Sequence, residues 1–129
     1  MILGLKMYDV LKAYDNYIRK KYNAEPGYIT MNMPLLLDVL NSLGIENPII
    51  CSSINKIGFR MSGGIEVYEK YLRQKHFRPI AMQVLAAGAL NPKEATEYLG
   101  KFPKIESVLF GASSKSHIAE TKGLIEASL

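Results

Sequence analysis

PIAMQVLAAGALNPKEA, running from Pro79 to Ala95, contains a strand, a loop and a helix start in that order. Pro79 to Leu85 reads as a short β-run. Asn91-Pro92-Lys93-Glu94 then supplies an Asn cap, proline at the first helical position, and a Glu placed to reach back as in a capping box. A strand that runs into a helix is the opening of a βαβ unit.

The same order recurs on both sides of this stretch. Upstream, Tyr28 to Met33 is β-rich. Pro34 sits where a first helical turn tolerates proline, and Leu35, Leu36, Val39, Leu40 and Leu43 form an apolar helical face. Gly44 stops that helix. Pro48 to Ile54 is a further strand, followed by a polar, Gly-bearing loop from Asn55 to Gly64. The helix after it spans Ile65 to Gln74, with Val67, Tyr68, Tyr71 and Leu72 facing inward. Downstream, Ile105 to Phe110 is a strand, Gly111 to Ser114 a tight turn, and Ser116 to Ala127 a helix. A leading helix covers residues 7–22, with Val10, Leu11, Tyr14, Tyr17 and Ile18 at helical spacing. Asn23 to Gly27, carrying Pro26, breaks it.

The strands start near 28, 48, 79 and 105, a spacing of about 20 to 30 residues that belongs to βαβ units with a parallel sheet. The reading is therefore α/β: one domain over residues 1–129, a leading helix plus four βα units. Two architectures fit, half of a TIM barrel or a small open doubly wound sheet. Both faces of a doubly wound sheet should be apolar. Here one face reads as partly small or polar: Thr30 and Asn32 on the first strand, Ala81 and Gln83 on the third and Ser107 on the fourth, while the second strand carries Cys51, Ser52 and Ser53. They suit a barrel lumen that opens into a site. Half a barrel leaves two bare sheet edges that must be paired or covered. The expectation is a homodimer, a complementing half-barrel chain, or a fragment of a longer protein.

Composition narrows the function classes. The 129 residues carry 16 basic and 12 acidic side chains, a net charge of +4 without basic blocks, so no nucleic-acid partner is expected. No apolar run approaches the roughly 18 residues of a membrane span. Cys51 is the only cysteine, which excludes an intrachain disulfide and points to a cytoplasmic setting. Met1 to Lys6 lack the features of a signal peptide.

Candidate chemistry gathers at the strand ends. Gly111, Ala112, Ser113 and Ser114 join a strand to a helix start, where free N–H groups and the helix dipole favour an anion. Gly88, at the end of the neighbouring strand, lets a phosphate approach the backbone. The alternative is a plain turn with a serine cap. In the long loop after the second strand, Ser53, Asn55, Lys56 and Arg60 are candidate ligand contacts. Lys56 or Arg60 would neutralise a phosphate or carboxylate. Asn32 and Gln83 would orient a substrate by hydrogen bonds, or be satisfied buried amides. Cys51 reads as inert, since neither His76 nor His117 is placed to activate it. Two histidines without an acidic neighbour at ligand spacing make no metal site.

IESVLFGASSKSHIAETKGLI, from Ile105 to Ile125, resembles the eighth strand and helix of aldo-keto reductases. Pro79 to Ala95 resembles the seventh strand and loop of such barrels. It is still more similar to uncharacterised prokaryotic TIM-barrel proteins in which a strand ends LAAG and a helix opens NPKEA. The likeness covers the last 50 or so residues. It implies a phosphate-bearing ligand, NADP in the oxidoreductase version, with Glu120 as a further cofactor contact. Glu120 is followed by Thr121 where that family often has asparagine. The family's catalytic Tyr, Lys, Asp and His have no counterpart here, so the chain alone is expected to turn nothing over. The alternative function is a non-catalytic self-associating module or a truncated gene product.

Overall fold

A computed structural model describes residues 5–129. The elements follow in the order α1 (Tyr8–Tyr22), β1 (Gly27–Thr30), α2 (Met33–Ser42), β2 (Ile49–Ser53), α3 (Ile65–Gln74), β3 (Arg78–Met82), α4 (Pro92–Leu99), β4 (Ser107–Val108) and α5 (Lys115–Ser128). The chain is α/β, and its four strands form one parallel sheet in the order β1-β2-β3-β4. Consecutive strands are neighbours, without the reversal of order that marks a doubly wound sheet.

Local chemistry explains the boundaries. The Asn32 side chain accepts from Leu35 N and starts α2. That helix ends in a Schellman motif: Ile45 N donates to Leu40 O at 3.0 Å and Gly44 N to Asn41 O at 3.1 Å. Gly44 stands at φ +75°, a conformation that favours glycine. Asn91 caps α4, accepting from Glu94 N at 2.9 Å. The Glu94 carboxylate does not complete the expected capping box; it pairs instead with Lys56 at 2.5 Å. Two strands are shorter than their sequence suggests. β3 stops at Met82 because Gln83 turns into the left-handed region at φ 53°. β4 is only two residues long, although Leu109 N still donates to Ala81 O at 2.8 Å.

The sheet has one face packed on the helices and one partly open face, exposed toward β1 and β4 and closed at Cys51 and Ser53. Register places Tyr28, Ile50 and Pro79 in one row, and Thr30, Ser52, Ala81 and Val108 in another two residues on. Tyr28, Ile50 and Ala81 share the main core with Leu37 and Leu40 of α2, Tyr68 and Leu72 of α3, and Leu99 of α4. The alternate row is Ile29, Cys51, Ile80 and Ser107. It lies outside that core: Ile29, at 72%, and Ser107 are exposed, Ile80 is half-buried, and Cys51 is buried. The expected inner face is corrected accordingly. Side chains alternate along a strand, so Thr30, Ser52 and Ala81 turn to the helices while Cys51, Ser53 and Ser107 take the other side.

Three phenols tie helices to the rest of the fold through carboxylates. Tyr28 donates to Asp15 at 2.9 Å, Tyr71 to Asp38 at 2.8 Å and Tyr98 to Glu69 at 2.9 Å. Burial, and then the carboxylate each faces, pushes Tyr28 and Tyr98 up from the ordinary tyrosine value. For Tyr71 the hydrogen bond to Asp38 is the larger cause. Folded values above unfolded ones mean that the protonated phenols stabilise the fold fully below the unfolded value of about 10. That contribution is lost as pH rises through the folded values. The urea midpoint should therefore drop steeply above about pH 10, and Tyr28→Phe should make the drop shallower. A midpoint that stays level to the alkaline limit of the assay would refute this.

Candidate functional site

A cavity of about 560 Å³ opens at the C-terminal ends of β2, β3 and β4. Parallel α/β sheets generally receive ligands at this end. Phe59 and Arg60 come from the loop after β2. Gln83, Val84, Leu85, Ala87 and Gly88 come from the loop after β3, and Leu109, Phe110 and Gly111 follow β4. Four candidates from the sequence, Arg60, Gln83, Gly88 and Gly111, thus meet on one wall system. Among the described residues, Arg60 is the only charged side chain lining the cavity, and its guanidinium lies 5.2 Å from the Phe59 ring centre.

Backbone strain is concentrated here. Arg60, Gln83, Ala86 and Ala87 have φ of 53°, 53°, 49° and 55° without being glycine. Each such residue costs on the order of 1 kcal/mol. Gly88 follows at φ +89°, where glycine carries no such cost. Strained backbone of this kind persists only where its surroundings over-determine it, and it clusters at ligand sites.

Asn55 is the main restraint. It is 1% exposed. Its Nδ2 donates to Phe59 O at 2.9 Å and Gln83 O at 3.3 Å, while its Oδ1 accepts from Phe59 N at 2.8 Å. One amide therefore ties the loop after β2 to the start of the loop after β3. This is the satisfied buried amide, at Asn55 rather than at Asn32 or Gln83. Ser53, also buried, donates its hydroxyl to Gln83 Oε1. These two candidates do meet at the strand ends.

The other candidates lie outside the cavity lining. Lys56 is held by Glu94 on α4. Asn32 serves as the α2 cap. Ala112 and Ser113 are exposed, and Ser114 caps α5 by accepting from His117 N at 3.3 Å. Glu120 is exposed on α5. Burial pushes the Cys51 thiol up, away from the reactive thiolate. The apolar walls Phe59, Leu85, Leu109 and Phe110 were not among the sequence candidates. Their available signal was adjacency: Phe59 precedes Arg60, and Phe110 precedes Gly111.

Among the described residues, no group of three His, Cys, Asp or Glu side chains could share a metal ion, and no helix is long and apolar enough to cross a membrane. Comparison of the chain with protein-family models, with curated proteins and with solved structures finds no match.

Proposed function

We propose that the chain is half of a (βα)8 barrel whose loops after β2, β3 and β4 bind a small phosphate-bearing ligand. The observation that carries this reading is the cavity at the ends of three adjacent parallel strands, with Arg60 as its single charge among the described residues and Gly88 and Gly111 on its wall. The sequential strand order supports the half-barrel, because consecutive right-handed crossovers put every connecting helix on the same face. Arg60 supplies a forked cation for phosphate oxygens. α5 begins just beyond Gly111, so its positive dipole end adds to the field. The walls Phe59, Leu85 and Phe110 hold the uncharged body of the ligand. In the oxidoreductase version suggested by the sequence likeness, that ligand is NADP.

The test is a titration with inorganic phosphate and with NADP, following backbone amide signals. Gly111 to Ser114 should shift on binding. Arg60→Ala should weaken binding about tenfold, equivalent to about 1.4 kcal/mol and the low end for a charged hydrogen bond. Gly111→Asp should abolish it. A Cβ at position 111 meets nothing within 4 Å, so this substitution acts through its charge and not through bulk. Amides that stay still with both compounds would reduce the cavity to a structural gap.

A further inference from the structure

We infer that the partly open sheet face is closed by a second copy of this chain, whose β1 pairs with β4 and supplies the missing wall of the cavity. This rests on the half-barrel reading above.

The first observation is where apolar side chains remain uncovered. Among the described residues, the exposed large hydrophobics belong to α1 and its lead-in, the β1 end, the β4 end and α5, with only Leu35, Ile57 and Val67 between. Tyr14 and Tyr17 on α1, Ile29 and Met31 at β1, Leu109 beyond β4 and Ile118 on α5 mark the two flanks. Exposed apolar surface gathered in this way marks an interface. Here both ends of one sheet carry it.

The second observation is that the two flanks complement each other. Among the described residues, β1 and β4 each have one unpaired edge. A two-fold axis along the barrel sets β1 of each copy beside β4 of the other, in parallel, and the arrangement closes at eight strands. α1 of each copy then meets α5 of the other. Charge does not oppose this. Arg78, in the open-face row with Gly27 and Ile49, is already paired with Glu25 at 2.8 Å and Glu106 at 3.3 Å.

The consequence for the site follows from position. The cavity is walled by the loops after β2, β3 and β4, and Leu109 at its rim is 55% exposed. The strand beside β4 would be the second copy's β1, whose C-terminal end carries Met31 and Asn32. Asn32 keeps its Oδ1 on the α2 cap, and its Nδ2 is left to donate to a ligand across the seam.

Sedimentation velocity decides the matter, with circular dichroism as the check on folding. The wild-type chain should run at twice its 14.4 kDa mass. Ile29→Asp and Ile118→Asp should run as folded monomers, since both side chains are exposed in the single chain. Val67→Asp, exposed but away from the flanks, should stay dimeric. Ile29→Asp should also weaken phosphate binding, although Ile29 does not line the cavity. A wild-type monomer overturns the inference, as does dissociation by Val67→Asp alone. A wild-type dimer that ignores phosphate overturns only the proposed ligand, and a monomer that binds phosphate overturns only the closure.

Discussion

Tyr68→Ala is expected to remove about 3–5 kcal/mol of stability, a large part of the 5–15 kcal/mol typical of a domain. Tyr68 is fully buried in the main core. Its hydroxyl also accepts from Met33 N and donates to Met31 O, both at 3.1 Å. Truncation therefore opens a cavity and strands two backbone groups at the turn from β1 into α2. Tyr68→Phe separates the two losses. It keeps the ring and should cost about 1–3 kcal/mol for the unsatisfied groups. Urea unfolding at neutral pH measures both, with an unchanged slope showing that only stability has moved. If Tyr68→Phe cost as much as Tyr68→Ala, ring packing would be contributing nothing and the account would fail.

Asn55→Ala should cost about 2–4 kcal/mol, because Phe59 N, Phe59 O and Gln83 O lose buried partners worth about 1–3 kcal/mol each and water recovers part of the loss. The effect should also be local. Amide signals of Phe59, Arg60 and Gln83 should move while those of β1 and α2 stay in place. Asn55→Asp is the sharper probe. It fits the same space and can still accept from Phe59 N, but its carboxylate cannot donate to either carbonyl. It should destabilise comparably and loosen the left-handed turns at Arg60 and Gln83. Wild-type stability in Asn55→Asp would mean that the two donated bonds do not hold the loops.

The helices and their stops were legible because capping is local. Gly44, Asn91 and Pro92 act within one turn of where they stand. The faces of the strands were less legible. Cys51, Ser52 and Ser53 are three small residues in a row, so no alternation of apolar and polar side chains says which of them turn to the helices. The end of β3 was hidden for another reason. Gln83 is not a residue that announces a left-handed backbone, and it is held there by Asn55, which is 28 residues away. Glu94 likewise follows a partner 38 residues away in place of its own helix start. Arg60, Gln83, Gly88 and Gly111 could be found because strand ends in parallel sheets converge. Phe59 and Phe110 offered only their adjacency to Arg60 and Gly111, since an aromatic residue in sequence serves a core as well as a cavity wall.

The sequential strand order also bears on how the chain acquires its shape. Each strand pairs with the one made just before it, across a single α-helix. No strand has to wait for a distant segment, so the entropy of closing each loop stays small. The sheet can grow one unit at a time from the amino terminus while the polypeptide is still being synthesised. Of these four strands β4 joins after the others, and its two residues give that edge the least hold. Folding of the single chain therefore finishes at its weakest seam, and breathing of the native state should begin there.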